Sequence, residues 1–182
     1  MPLTHVVLDL DNTLICSRYT TDDITTEHKE KISVLENYNM ENYYDIYERP
    51  GLQTFLDYLF ENYKVSVFTA ASKGYALYII DKFILNKPER ELEYIFWSYH
   101  CMISKNKYKG NNKRLVMLSE DFDLGDLFPI ESTVLIDDMK DWSKDQADNV
   151  VNLVPFEVDD EDSTVDNELE NVKNILEERR KS

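Results

Sequence analysis

Three polar residues at alternate positions, Asp9, Asp11 and Thr13, follow the first apolar run of the sequence. In an extended chain, residues two positions apart project to the same side, so the two carboxylates lie together while Leu8 and Leu10 point the other way. Such a pair can supply a nucleophile and a general acid or base. Crowded carboxylates repel each other unless a cation neutralises them, and hard oxygen ligands favour Mg²⁺. The spacing therefore predicts a bound metal.

Polar residues also end two other apolar runs. Thr69 follows the run 64–68, and Asp137 and Asp138 follow the run 132–136. Taken singly, such residues are better explained as helix caps or turn formers. Because ligands bind beyond the carboxyl ends of parallel strands, the combination at three strand ends favours a functional site.

Apolar runs alternate with helical patterns along the chain, which predicts an α/β domain with a central parallel sheet. The predicted strands cover residues 5–10, 64–68, 132–136 and, more weakly, 149–154. The predicted helices cover residues 52–60, with Pro50 at the first helical position, and 73–85. A last helix is expected over about 163–180, with Val165, Leu169, Val172 and either Ile175 or Leu176 on its buried side. We expect one domain over residues 1–182.

Two stretches resemble insertions. Residues 17–49 are acidic and rich in Tyr and Asn, so we predict an irregular acidic insertion that ends in a short strand. Residues 92–112 carry an aromatic cluster followed by lysines, and Trp97, like Trp142, is expected to be a packing residue. The acidic run 157–162 predicts a solvated loop before the last helix.

Composition and charge exclude several classes of protein. The 182 residues include 20 Lys and Arg against 36 Asp and Glu, which gives a formal charge of −16. A phosphate-backbone footprint needs a basic surface, so nucleic acid is not an expected partner. No apolar run reaches the ~18 residues of a membrane helix, and the first residues do not resemble a signal peptide. We therefore expect a soluble protein, cytoplasmic or nuclear, without a membrane partner and of unknown oligomeric state.

The cysteines and glycines exclude further chemistry. Cys16 and Cys101 lie far apart and outside any zinc spacing, which argues against a disulfide framework and structural zinc. Neither is followed by the arginine that a cysteine-dependent phosphatase requires, so both are expected to be structural. The four glycines form no nucleotide-binding loop.

The polar strand ends carry a family resemblance. The segments Asp9-Leu-Asp-Asn-Thr-Leu14, Val67-Phe-Thr-Ala70 and Ile136-Asp-Asp138, with a lysine before the last, resemble the four motifs of haloacid-dehalogenase-type (HAD-like) phosphatases. The segment Glu48-Arg-Pro-Gly-Leu-Gln-Thr-Phe-Leu56 resembles more narrowly the branch of RNA polymerase II C-terminal-domain phosphatases and NLI-interacting-factor-like phosphatases. The resemblance covers about residues 4–155 and implies a Rossmann-like sheet flanked by helices, with a small insertion and no large cap.

The resemblance also implies roles for individual residues. Asp9 is implied as the nucleophile, Asp11 as general acid and base, and Thr69 as a hydrogen-bond donor to the phosphate. Lys113 is implied as the cation that neutralises the phosphoryl group, with Arg114 and Lys109 as alternatives. Mg²⁺ would be held by Asp9, Asp138 and the backbone carbonyl of Asp11. The candidate substrate-binding residues are Thr13, Ala70, Tyr75 and Arg114, of which Tyr75 is equally compatible with the core.

These expectations converge on a Mg²⁺-dependent phosphomonoester hydrolase with an aspartyl-phosphate intermediate. The short spacing between the motifs leaves little room for a cap, and an open cleft suits a phosphoserine or phosphothreonine on a protein. The alternatives are a phosphatase for small molecules or nucleic-acid ends, and a catalytically silent binding module of the same fold.

Overall fold

The computed structural model describes residues 3–108, 112–125, 128–140 and 146–181. In chain order its elements are β1 (His5–Leu8), β2 (Ile15–Tyr19), α1 (Thr26–Ile32), β3 (Asn37–Met40), β4 (Tyr44–Glu48), α2 (Leu52–Asn62), β5 (Lys64–Phe68), α3 (Lys73–Ile79), β6 (Ile95–Phe96), α4 (Ser98–Tyr108), α5 (Leu115–Glu120), β7 (Thr133–Asp137), β8 (Val150–Asn152) and α6 (Glu168–Lys181).

Within the described residues, five strands form a parallel sheet in the order β6-β5-β1-β7-β8. Strand β1 lies at its centre, with Leu8 opposite Val67 of β5 on one side and Ile136 of β7 on the other. Every residue of β1 is buried, which explains why its sequence is a continuous apolar run. The predicted α/β fold is confirmed. The polar residues that follow β1, β5 and β7 lie at the carboxyl ends of these neighbouring parallel strands.

The sequence predicted an irregular segment over 17–49 that ends in a short strand; the short strand is present as β4, but the rest of the segment also contains regular structure. Three strands of the described chain form an antiparallel sheet in the order β2-β4-β3, and α1 lies between β2 and β3. The prediction missed β3 because this strand is exposed at Asn37, Tyr38 and Asn39, so it lacks the apolar alternation by which strands are recognised.

The predicted helices at residues 52–60 and 73–85 are present. Helix α2 begins after Gly51, whose φ of +80° is readily adopted by glycine, so Pro50 lies in the preceding turn and not at the first helical position. Helix α3 is capped by the Ser72 hydroxyl and continues through a π-helical turn at Ile80–Ile84. Both helices pack their apolar residues against the sheet.

Residues 92–112 are likewise part of the fold and not an insertion over their described part. Strand β6 pairs with β5 at the edge of the sheet, and α4 follows it directly. The buried residues of α4 are His100, Cys101 and Ser104, and this weakly apolar face gave no helical stripe in the sequence.

The last helix starts later than predicted. A short 3₁₀ turn occupies Ser163–Val165, and α6 begins at Glu168. Val165 is 72% exposed, so its place on the buried side was predicted wrongly, whereas Leu169, Val172 and Leu176 are buried.

Cys16 and Cys101 are buried thiols, and burial raises the pKa of each to about 11. In the parts of the chain described, no helix is both long and apolar enough to span a bilayer.

Candidate active site

The turn after β1 positions the first two aspartates. Asn12 adopts φ +58°, a left-handed conformation that asparagine tolerates, and its N–H bonds to the carbonyl of Ile15 at 2.8 Å. The turn keeps Leu10 fully buried, as Leu8 is. Asp9 is 6% exposed, and Asp11 lies near enough for the charge of Asp9 to raise its pKa.

A buried lysine joins two of the strand ends. Nζ of Lys113 lies 2.6 Å from Oδ1 of Asp9 and 2.7 Å from Oδ2 of Asp137, and Lys113 is 2% exposed. Burial alone lowers the pKa of Lys113, but the two carboxylates outweigh burial and hold the pKa above its ordinary value. The lysine is therefore charged where it contacts Asp9.

Gln146 fixes the backbone that carries Lys113. Its buried side chain donates from Nε2 to the carbonyl of Lys113 at 2.8 Å and accepts from the N–H of Leu115 at 2.9 Å. The amide thus pairs with backbone groups on both sides of Arg114 and holds this segment next to β7.

Three carboxylates surround a potential cation site. Within the described residues, one oxygen each of Asp9, Asp137 and Asp138 lies within 4.8 Å of the others. Burial and then the charge of Asp9 raise the pKa of both Asp137 and Asp138. The single ammonium of Lys113 leaves an excess of negative charge among these oxygens, which is the donor chemistry that a hard divalent cation requires.

The hydroxyl of Thr13 lies between two of these carboxylates. Its Oγ1 is 3.3 Å from Oδ2 of Asp9 and 3.4 Å from Oδ1 of Asp138, so its one proton can be donated to either. Thr13 is fully buried. Thr13 is therefore placed to orient oxygens of this carboxylate cluster, and the substrate-binding role that the sequence suggested for it stays a prediction.

Arg49 binds the backbone carbonyl of Thr13. Its guanidinium is fully buried, donates to the carbonyls of Thr13 at 3.1 Å and Val154 at 2.8 Å, and makes two 2.8 Å bonds with the carboxylate of Asp166. One side chain thus ties the motif turn to the segments before α6.

Asp11 has a different partner from Asp9. The hydroxyl of Tyr75 donates to Oδ1 of Asp11 at 2.8 Å. Burial raises the pKa of Asp11 to about 6, opposed by the Tyr75 hydrogen bond and reinforced by the charge of Asp9. Burial also raises the pKa of Tyr75, so the phenol stays protonated as the donor. A carboxyl with a pKa near neutrality can both give and accept a proton.

An open groove begins at Asp11. Its volume is about 390 Å³, and its walls are formed by Asp11, Ser17, Tyr44, Ala71, Ser72 and Tyr75. The rings of Tyr44 and Tyr75 meet edge to face with centroids 5.6 Å apart. The antiparallel sheet of β2, β4 and β3 therefore supplies one wall of the groove, and the loop after β5 supplies another.

The remaining predicted residues lie in different surroundings. Thr69 is fully buried at the end of β5, where its Oγ1 accepts the N–H of Ala71 at 3.1 Å, and Ala70 beside it is exposed. The guanidinium of Arg114 packs over the ring of Tyr108, 5.5 Å from its centroid. Lys109, the other alternative cation, and Trp142 lie outside the described residues.

Three contacts were not predicted from the sequence. These are the ion pair of Asp137 with Lys113, the clamp formed by Gln146 and the support of Thr13 by Arg49. Asp137 carried a signal, because it is the first member of the acidic pair that ends β7. No signal in the sequence indicated these contacts of Gln146 and Arg49, since their partners are backbone groups and, for Arg49, also the carboxylate of Asp166, all distant in sequence.

The comparisons with known proteins agree with this fold. Residues 4–182 match the family described as NLI interacting factor-like phosphatase. The chain is 41% identical over 181 residues to the putative CTD phosphatase-like protein 355R of invertebrate iridescent virus 3, with 94% of each chain covered. It is 43% identical over 179 residues to the protein of the same name from invertebrate iridescent virus 6, with 96% of this chain and 97% of the relative covered.

The solved structures show the same fold at low identity. The structure of Fcp1, an essential RNA polymerase II CTD phosphatase, superposes with a TM-score of 0.64 at 19% identity, over 97% of this chain and 62% of that chain. Fission yeast Fcp1 bound to beryllium fluoride gives 0.58 at 20% identity, over 98% and 51%. This chain therefore spans about half to two thirds of those structures.

The fold is that of the HAD-like phosphatases, and the chain is a phosphatase. It belongs to the NLI interacting factor-like family.

Proposed function

We propose that this phosphatase is a Mg²⁺-dependent hydrolase of phosphoserine or phosphothreonine on proteins, acting through an aspartyl-phosphate on Asp9. The observation that supports this most is the juxtaposition of Asp9, Lys113 and the carboxylates of Asp137 and Asp138 beside an open groove. One buried carboxylate faces a fixed cation there, and a second carboxyl, Asp11, stands at the groove.

In the first step, a carboxylate oxygen of Asp9 attacks phosphorus, and the bond from phosphorus to the serine oxygen breaks. Asp11, protonated, gives its proton to the departing alkoxide, which is a poor leaving group without it. The ammonium of Lys113 and the hydroxyl of Thr69 offset charge on the phosphoryl oxygens.

In the second step, Asp11 accepts a proton from water as that water attacks phosphorus. The bond between phosphorus and Asp9 then breaks, which releases inorganic phosphate and restores the carboxylate. The pKa of Asp11, about 6, suits a group that acts as an acid and then as a base.

The oxygens of Asp9, Asp138 and the backbone carbonyl of Asp11 would hold the metal, with Asp137 holding Lys113. Bound there, Mg²⁺ would neutralise charge on the phosphoryl oxygens. The buried excess of negative charge in this cluster is the feature that fits a divalent cation.

The shape of the groove favours a protein substrate. It is an open groove beside Asp11 and Tyr75, and the described residues supply no cap over it. Small metabolites are usually enclosed, whereas an extended peptide can lie across an open groove.

The test is phosphate release from a panel of phosphopeptides, sugar phosphates, nucleotides and 5′- or 3′-phosphorylated oligonucleotides, with Mg²⁺ or with excess chelator. We expect release from phosphoserine and phosphothreonine peptides only with Mg²⁺, and its loss in Asp9→Asn. Asp81→Asn, a change of the same size at a 71% exposed carboxylate, serves as the matched control. Full activity in chelator or in Asp9→Asn would refute the mechanism, and selective turnover of small molecules would refute the substrate class.

A further inference from the structure

The ammonium of Lys73 lies over the face of Trp97, beyond the carboxyl ends of the strands, where the active site also lies. Nζ is 5.1 Å from the ring centroid, a distance at which a cation is attracted to an indole. Lys73 follows Ser72, which lines the groove, and Trp97 follows β6. The two residues therefore belong to the loops at the carboxyl ends of β5 and β6.

Both the backbone and the ring of Trp97 contact His100. The backbone N–H of Trp97 donates to Nδ1 of His100 at 3.0 Å, and the two rings meet edge to face with centroids 4.4 Å apart. The next N–H, that of Ser98, donates to the carbonyl of Ala71 at 2.9 Å. This bond ties the tryptophan to the loop that carries Ser72 and Lys73.

Lys73 combines the contact with Trp97 and the position beside the groove with the lack of an acidic partner among the described residues. Some exposed lysines, such as Lys82 and Lys107, pair with carboxylates, whereas Lys105 resembles Lys73 in having no such pair in this part of the chain. No carboxylate of the described chain lies within 4.0 Å of Nζ of Lys73. Lys73 is also the first residue of α3, where the helix dipole favours acidic side chains.

We propose that Lys73, held by Trp97, forms a second anion subsite that selects phosphoprotein substrates carrying another phosphate or carboxylate near the scissile phosphate. The inference rests on the proposed function, because it concerns the substrate that lies in the same groove. In a protein of charge −16, a cation beside the groove locally offsets the repulsion that an anionic substrate meets.

The position of Lys73 sets the reach of this subsite. Lys73 lies four positions after Thr69, which is at the phosphate site, and this distance is at most ~14 Å because an extended chain advances about 3.3–3.6 Å per residue. The second anion therefore falls within about four residues of the scissile phosphoserine. Trp97 restricts the long lysine side chain in advance, which reduces the entropy lost when the anion binds.

The test compares three peptides that share one phosphoserine and differ at one neighbouring position, which holds phosphoserine, glutamate or serine. That position is scanned over four residues on each side. With the wild-type protein we expect kcat/KM about two- to fivefold higher for the anionic peptides at the favoured position, the range of an exposed ion pair. In Lys73→Met the ratio of anionic to neutral peptide falls to about one, whereas Lys105→Met, the same change at another exposed lysine, keeps the wild-type ratio.

Two further readouts identify the subsite. The preference of the wild-type protein weakens at high salt, because exposed charges are screened, and Trp97→Leu lowers the preference without removing a charge. A preference for phosphate alone or for both anions supports the subsite and identifies its ligand.

A preference that survives in Lys73→Met, or its absence in the wild-type protein at every position, overturns the inference alone. Failure to release phosphate from every peptide, including those with serine at the neighbouring position, overturns the proposed function and this inference with it.

Discussion

The hydroxyl of Tyr75 donates a 2.8 Å hydrogen bond to Oδ1 of Asp11, although 64 residues separate the two in sequence. Burial raises the pKa of Asp11 to about 6, and this hydrogen bond is the largest influence that opposes burial. Tyr75 therefore stabilises the ionised form of the carboxyl that is proposed to act as acid and base.

Tyr75→Phe is expected to raise the pKa of Asp11 further. A hydrogen bond worth about 0.5–1.5 kcal/mol corresponds to up to about one pKa unit. With an aryl phosphate, which leaves easily, the second step limits turnover and requires ionised Asp11. Activity is then lost as pH falls through the pKa, so the acidic limb of the pH profile of kcat should move to higher pH.

The control for Tyr75→Phe is Tyr78→Phe, since the hydroxyl of Tyr78 donates to the backbone carbonyl of Asn39. Its acidic limb should match that of the wild-type protein. An unchanged acidic limb in Tyr75→Phe would show that the phenol does not tune the group that titrates.

Asp11→Asn should separate the two chemical steps. An aryl phosphate needs little protonation to leave, so this variant should phosphorylate itself and then stall for want of a base. We expect a covalent phosphate on Asp9, visible after rapid quenching as a mass increase of one phosphoryl group, and a burst of aryl alcohol. Continued turnover of the aryl phosphate with neither burst nor adduct would favour a metal site that activates water directly.

Lys113→Ala should lower kcat by about 10²–10³, the usual cost of removing one donor to a phosphoryl or oxyanion group. Because Asp9 and Asp137 would lose their buried partner, we also expect the free energy of unfolding to fall by about 3–5 kcal/mol, measured in urea. Lys105→Ala and Lys107→Ala should stay close to the wild-type rate. A larger loss of activity in Arg114→Ala would mean that the phosphate is neutralised by the other cation.

Arg49→Met should destabilise the domain by about 2–5 kcal/mol in urea unfolding. The change leaves Asp166 and the carbonyls of Thr13 and Val154 without their buried donor. Asp166→Asn keeps an acceptor oxygen and should cost less. The matched control is Asp159→Asn, which removes the partner of Arg18 at a 61% exposed carboxylate and should leave stability nearly unchanged. Equal losses at Asp166 and Asp159 would contradict a special role for the Arg49 pair.

The parts of the fold that could be predicted are those with a strong apolar pattern. Strands β1, β5 and β7 are buried, so each is recognisable from a few residues. The polar residues that follow them indicated that the candidate site lies at the carboxyl ends of these strands. The small sheet and α4 could not be recognised in this way. Strand β3 is stabilised by pairing with β4 and not by burial, and α4 buries histidine, cysteine and serine.

The site was predictable where neighbouring positions in sequence remain neighbours in space. The alternate spacing of Asp9 and Asp11 directly predicted that they share a side of the chain. The partner of Asp11 could not be predicted, because Tyr75 reaches it only after β5 and α3 have folded against β1. The sequence left Tyr75 equally compatible with the core and the groove, and the structure gives it contacts with both.

The clamp of Gln146 on the backbone of Lys113 and Leu115 has an evolutionary consequence. The backbone that carries Lys113, the proposed catalytic cation, is held by an amide that follows β7, whatever the length of chain between Lys113 and β5. Insertions and deletions ahead of Lys113 can therefore accumulate during divergence without displacing the ammonium, provided that the glutamine is retained. In distant relatives we therefore expect a downstream glutamine to locate the lysine better than the number of residues counted from Thr69.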